Sequence, residues 1–250
     1  MNEVGGVAVD LNCDLGEGAP HDQALMPLAT SVNIACGGHA GDEDSMAAAV
    51  ALARDHGVAI GAHPGHLDRE HCGRRELAIT PREAARLVVD QIERLAAVIG
   101  EPPRHVKLHG GLYHQVGRDD QLAEAVVDAV TGRWPEMMLF ALAGSRLAAV
   151  ARSRGTAVAA EAFVDRVYAA DGTLLPRSQP GAVLGDAAAA ANRVVRLVRE
   201  GVVEAADGAL LAIRAQTLCI HGDGPDPMAL ARAVRKALAA AGIAVQAAGG

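Results

Sequence analysis

The sequence predicts a parallel α/β fold: a single (β/α) barrel, seven-stranded and slightly irregular, with an open doubly wound sheet as the structural alternative. Three observations lead there. Short apolar runs alternate with helical stretches along the chain. Seven of those runs stop in polar residues, at positions 12–14, 33–42, 63–68, 107–114, 142–145, 161–166 and 221–223. The length of 250 residues, half of them apolar, suits one barrel with one large core. Parallel strands gather their ends on one rim, and parallel barrels keep their chemistry there.

The elements follow in order. Strands are expected over residues 7–13, 32–36, 59–62, 105–108, 137–142, 157–164 and Thr217–Ile220, each rich in Val, Ile, Leu and Ala. Between them lie helix start signals. Asp42 with Ser45, Asp119, Asp186, and Asp226 before Pro227 are N-cap candidates. Thr80-Pro81-Arg82-Glu83 reads as a capping box with proline at the first helical position, and Gly100 closes that helix. Asp171-Gly172, between Tyr168 and Leu174-Leu175, predicts a small hairpin over the rim. Asp207-Gly208 predicts another, between Val202-Val203 and residues 209–213. No linker-like segment divides the chain, so residues 1–250 read as one domain.

Composition narrows the function. The net charge of −7 argues against a nucleic-acid partner or an anionic membrane surface. No stretch approaches the roughly 20 apolar residues of a membrane span. Met1-Asn2-Glu3-Val4 lacks the basic start of a signal peptide, so a cytoplasmic location is expected. One Trp, two Tyr and two Phe leave few platforms for a sugar, which favours a small polar substrate. The four cysteines form no CxxC pair. They read as small buried residues, with Cys36 beside His39 the alternative, a candidate thiol. Phosphate-loop, GxGxxG and HExxH motifs are absent.

The polar strand ends carry the chemistry. Residues 10–18 bring Asp10, Asn12, Asp14 and Glu17 to a glycine turn. Residues 33–42 set Asn33, Gly37, Gly38 and His39 before the helix that Asp42 starts, a natural place for an anion. His63 follows the third strand. Lys107 and His109 end the fourth, expected on opposite faces, so that only one faces the interior. Lysine is costly in a buried strand unless paired. Glu161, Asp165 and Arg166 end the sixth run, and His221-Gly222-Asp223 the last; Leu142 to Ser145, at the fifth, is bland. His39, His63, His109 and His221 occupy matching points of different β/α units, which favours one shared site. His21, His56 and His114 have no such placement and read as surface residues. Arg177, in a stiff Pro/Gly segment, could clamp a carboxylate or phosphate.

Taken together, residues 10–18, 33–42, 61–64, 105–113, 161–166, Asp171-Gly172, Pro176-Arg177 and 219–223 resemble the LamB/YcsF family, in order and over nearly the whole chain. The sequence departs from that family's pattern at Gly38, where Phe is usual, and at Gly65-His66-Leu67, which replaces a Ser-aromatic-Pro stretch. The resemblance implies a barrel related to the glycoside hydrolase/deacetylase barrels. It also implies ATP-dependent hydrolysis of 5-oxo-L-proline to L-glutamate, performed with B and C subunits of a bacterial 5-oxoprolinase. Residue type then distributes the roles. Lys107 and the Gly37-Gly38 turn would stabilise phosphate or an oxyanion. Asp14, Glu17 or Glu161 would act as base or hold the magnesium of ATP, and His39, His63 and His109 would relay protons. Arg166 or Arg177 would hold the substrate carboxylate. Asn12, Asn33, Asp42, Tyr113, Asp165, His221 and Asp223 complete the expected binding surface. No tightly bound transition metal is expected; were one present, Asp14, His39 and His63 would hold it. The alternatives are a metal-dependent amidohydrolase or deacetylase and a non-catalytic substrate-binding subunit.

Overall fold

In the computed structural model, which describes residues 7–249, the first half of the chain alternates strand and helix. It runs β1 (Ala8–Leu15), α1 (Asp22–Leu25), β2 (Ser31–Ala35), α2 (Glu43–His56), β3 (Ala59–His63), α3 (Pro81–Ile99) and β4 (His105–Lys107). Then come α4 (Gly110–Arg118), α5 (Asp120–Arg133), β5 (Met138–Leu142), α6 (Arg146–Ser153), β6 (Val158–Phe163) and α7 (Ala187–Glu200). The chain finishes with β7 (Val202–Glu204), β8 (Leu210–Ala212), β9 (Thr217–Ile220), α8 (Pro227–Ala240) and β10 (Ala244–Val245). The Met1-Asn2-Glu3-Val4 stretch lies outside the described residues.

Among the described residues, β1 to β6 and β9 form a closed ring of seven parallel strands, sealed where β1 pairs with β9 as well as β2. Barrel, not open sheet, is therefore the answer. The short β10 was not foreseen; it takes over the edge of β1 below β9, pairing Ala8 with Ala244. Strand limits differ from expectation by at most two residues. The antiparallel pair β7–β8 is the second expected hairpin, and Tyr168 bridges Leu174 across the first. Every expected cap is in use: Asp42, Thr80, Asp119, Asp186 and Asp226 each accept from a backbone N–H in the first turn of their helix. Ser145 caps α6, which explains why the fifth run ends blandly. No helix among the described residues is long and apolar enough to cross a membrane.

The apolar core lies outside the ring, where Leu11, Val32, Ile34, Val106 and Leu139 meet the inner faces of the helices. Inside the ring the filling is polar. Asp10, Asn12 and Asp14 alternate along β1, Ser31 and Asn33 along β2, His105 and Lys107 along β4, and Thr217 and Cys219 along β9. Residues two apart share a strand face, so each alternating set enters the same interior. There they bond one another. Asp10 accepts from Ser31 at 2.7 Å and from Thr217, and Asn33 Nδ2 donates to Asn12 Oδ1 at 2.8 Å. His105 reaches Asn33 Oδ1 at 2.9 Å and stacks on Phe140 with centroids 4.0 Å apart. Burial above all pushes its pKa down, to about 3, so it stays neutral. A cavity of about 530 Å³ opens at the opposite end of the barrel from the rim, beside Arg104, Trp134 and Met138.

Gly61 makes room for His105: a Cβ there would lie 2.1 Å from His105 Nε2. Gly61→Ala is accordingly expected to cost about 1–3 kcal/mol or more through overpacking. Adding His105→Ala should recover part of that loss. Urea unfolding of the two single variants and the double variant measures the coupling; strict additivity would show that the two residues do not compete for space.

Candidate active site at the barrel rim

Lys107 forms the floor. Its ammonium lies 2.9 Å from Asp14 Oδ1 and 2.9 Å from Glu161 Oε1, with Asn12 Oδ1 at 3.2 Å and Cys219 Sγ at 2.9 Å. Burial opposes its charge, but Asp14, with Cys219 and Glu161, outweighs burial and holds its pKa well above the ordinary lysine value. For Asp14, burial is likewise overcome by the charges of His63 and Lys107, and its carboxyl sits well below the usual range. Asn33 donates a further bond to Asp14 Oδ1 at 2.8 Å. Tyr113 donates to Glu161 Oε2 at 2.8 Å, and Asn12 donates to Glu161 Oε1 at 3.0 Å. The floor is thus a closed set of charge-assisted bonds.

On one side stand three imidazoles around Glu17. Glu17 Oε1 lies 3.2 Å from His39 Nε2, 3.2 Å from His109 Nδ1 and 3.7 Å from His63 Nε2. His39 stacks on His109, centroids 3.6 Å apart and planes within 4°. Burial draws the His39 pKa down to about 4 against the pull of Glu17. Burial also opposes the charge on Glu17, but the imidazoles of His109 and His39 beside it keep its pKa below the carboxylate range. Glycine is required beside these rings. Gly73 has φ of +62°, and a Cβ on it would lie 2.5 Å from His39 Cβ. Its loop is held by Asp68, which accepts from Arg75 Nε at 3.0 Å and Nη2 at 2.9 Å.

On the other side, Asp165 accepts from His221 Nδ1 with both oxygens at 2.9 Å, and Phe163 stacks on the His221 ring. Burial works against the Asp165 charge, yet His221 outweighs it and lowers the pKa. Asp14, Cys219 and His221 each bring a donor atom within 4.8 Å of the others, so this pair faces the same floor. Farther out, Asp223 pairs with Arg74 at 2.6 Å and with Arg177 at 3.0 Å.

Several expectations need correction. Lys107 and His109 both face the interior, since residues two apart share a face, and β4 ends at Lys107 so that His109 becomes the N-cap of α4. The Asp42 side chain is exposed and committed to its capping box with Ser45, so it lies outside the pocket. Gly37 N–H is bonded to Ala40 O, and a Cβ on Gly38 would lie 2.4 Å from Gln91 Oε1; this turn is packed, with no opening for an anion. Gln91 takes the space beside Gly38 and bonds Gly65 N at 3.1 Å and Gly65 O at 2.7 Å. Arg166 is buried and donates to Leu175 O, with Asp165 and Asp223 among the charges around it. Cys36 is no activated thiol: it is fully buried, donates to Ile34 O, and burial pushes its pKa up to about 12. His114 is half-buried against Tyr113, not a surface residue. Sequence reading missed Ser31, Gln91, His105 and Thr217; the alternation of polar residues within the strands was the signal for three of them.

This closed parallel ring is a deacetylase-like (β/α) barrel in fold. The chain belongs to the LamB/YcsF family, whose sequence model matches residues 9–250. It is 49% identical over 247 residues to a protein from Heliobacterium modesticaldum named as the A subunit of 5-oxoprolinase, covering 96% of this chain and 97% of the relative. The crystal structure of a lactam utilization protein from Thermus thermophilus superposes with a TM-score of 0.89 at 45% identity, covering 96% of this chain and 100% of that one. A family 4 carbohydrate esterase from Streptomyces lividans, in complex with acetate, superposes with a TM-score of 0.51 at 12% identity, over 96% of this chain and 92% of that one. That likeness shows the fold.

Two outcomes follow from the electrostatics. Lys107→Met leaves Asp14 and Glu161 buried without their cation, and urea unfolding should show a loss of about 3–5 kcal/mol. A loss under about 1 kcal/mol, the value of an exposed pair, would contradict a floor built on this ammonium. Arg75 first, then His71, lowers the Asp68 pKa from the ordinary 3.8 to about 2. The stability it contributes is therefore complete above pH 3.8 and lost as pH falls toward about 2. Asp68→Asn should flatten the acid limb of a stability–pH profile in that window; an unchanged limb would assign acid unfolding elsewhere.

Proposed function

We propose that this chain is the ring-opening subunit of a bacterial 5-oxoprolinase, hydrolysing 5-oxo-L-proline to L-glutamate in an ATP-dependent assembly with B and C subunits. The observation that carries this is full-length similarity to proteins named as the A subunit of 5-oxoprolinase and as a lactam utilization protein. The rim has chemistry to match. Opening the lactam adds the water oxygen to the carbonyl carbon and breaks the C–N bond; the nitrogen leaves as an amine and must gain a proton. His221, oriented by Asp165, can deliver that proton, because its Nδ1–H is held by the carboxylate and its other nitrogen is left free to exchange. Asp14 Oδ2, 3.4 Å from His63 Nε2, is positioned to take the proton from water while Lys107 anchors Oδ1. Arg74 and Arg177 form a cationic clamp, now closed on Asp223, that suits the substrate carboxylate.

ATP fits this rim poorly. Lys107 is committed to the buried carboxylates of Asp14 and Glu161, and the Gly37-Gly38 turn is packed. We therefore place ATP turnover on the partner subunits.

Reconstitution with B and C tests the assignment. His221→Gln should lower kcat for glutamate release by about 10²- to 10⁴-fold with little change in KM. Wild-type turnover by His221→Gln and Lys107→Met would favour a non-catalytic, substrate-binding subunit. Glutamate release at full rate by B and C without this chain would end the proposal. Calorimetric ATP titration of the isolated chain is expected to show no binding.

A further inference from the structure

The imidazole side of the rim turns several lone pairs toward one spot. His63 Nδ1 lies 2.8 Å from Lys107 O, and His109 Nε2 lies 2.8 Å from Cys72 O. A backbone carbonyl only accepts, so both of these nitrogens carry the proton. In the neutral rings the opposite nitrogens, His63 Nε2 and His109 Nδ1, are then bare acceptors. They face each other at 3.0 Å, and the Glu17 carboxylate, also an acceptor, closes the triangle at 3.2 and 3.7 Å. Three acceptors pointing at one spot are satisfied either by a proton shared between the rings or by a metal ion seated between them, and the ligand atoms of Glu17, His39, His63 and His109 all lie within 4.8 Å of one another.

The triangle has the dimensions of a metal site. From its three edges, a point in its plane lies about 1.9 Å from every atom, and a small shift out of plane gives bonds of about 2.0–2.1 Å, those of zinc to imidazole and carboxylate. The charge balance points the same way. Asp14, Glu17 and Glu161 bring three carboxylates to this region, and among the described residues Lys107 is the ammonium bonded to Asp14 and Glu161.

We propose that His63 Nε2, His109 Nδ1 and Glu17 Oε1 bind one divalent transition-metal ion of the zinc class, leaving a fourth position open to the pocket. This ligand set differs from the one expected by residue type. Asp14 Oδ1 is committed to Lys107 and Asn33, and its Oδ2, 3.4 Å from His63 Nε2, lies outside the cluster that Glu17, His63 and His109 form, grouping instead with Cys219 and His221. His39 is excluded as a ligand by its stacking: its ring is parallel to that of His109, so an ion in the plane of one ring lies well out of the plane of the other. It serves instead as a positioning residue, bonding from Nε2 to the same Glu17 Oε1 and so fixing that carboxylate's orientation. Such an ion would polarise a carbonyl or acidify a bound water. The site stands whichever amide the chain opens.

The test reads binding and not turnover. Full-length protein, stripped with a chelator and titrated with Co²⁺, is expected to take up about one ion per chain and to show the visible spectrum of a four-coordinate site. Glu17→Gln and His109→Gln should each abolish that spectrum, His39→Ala should weaken binding about 10- to 100-fold, and Asp14→Asn should retain it. Circular dichroism checks that each variant folds. If a variant does not, imidazole ¹⁵N NMR of the wild type with Zn²⁺ replaces it: Nε2 of His63 and Nδ1 of His109 should shift while His39 does not. No uptake, a spectrum that survives Glu17→Gln and His109→Gln, or one that only Asp14→Asn removes would each overturn the proposal. So would NMR showing a proton alone shared between His63 and His109 in the presence of metal.

Discussion

The Lys107 ammonium is the interaction on which the rest of the molecule depends. It comes from β4, yet its partners come from β1, β6 and β9, so one cation ties together strands spread around the ring. A charge so deeply buried is tolerable only because two carboxylates, an amide oxygen and a sulfur surround it. Those partners are fixed in turn, Asp14 by Asn33 and Glu161 by Tyr113 and Asn12. The barrel wall is apolar outside and hydrogen-bonded inside, and Lys107 is where the inner network reaches the rim.

From this floor the site divides into two halves. In the Asp165–His221 pair the carboxylate behind the ring holds Nδ1 and so sets its tautomer. The His63–His109 pair is set by two backbone carbonyls and turns its lone pairs inward. The same side chain is thus given two settings by what sits behind the ring, a carboxylate in one pair and backbone carbonyls in the other. Asp14 lies between the halves, with one oxygen held by Lys107 and the other beside His63.

Much of this was legible in the sequence. The strand ends marked the rim because ionisable residues have no business closing an apolar run, and the caps at Asp42, Thr80, Asp119, Asp186 and Asp226 announced helices through local chemistry. What stayed hidden lay inside the ring. Ser31, His105 and Thr217 read as ordinary strand residues until the alternation across β1, β2, β4 and β9 is followed inward. Other features were hidden because they depend on distant neighbours. Nothing local to Gly61 shows that it faces His105, and nothing local to Gly38 shows that Gln91 fills the space beside it. The resemblance to LamB/YcsF supplied the family; the pairing of Arg74 and Arg177 on Asp223 had to come from the fold.

The polar filling of the ring has one more consequence. In water, a reacting amide must wait for solvent dipoles to turn toward the charge that develops on it. Here the dipoles below the rim are already aimed, held by Asn12, Asn33, His105 and Thr217 in bonds that leave them little freedom to rotate. That alignment was completed when the chain folded, so an arriving ligand meets an electric field that scarcely relaxes as bonds rearrange. The interior of this barrel acts as a frozen solvent.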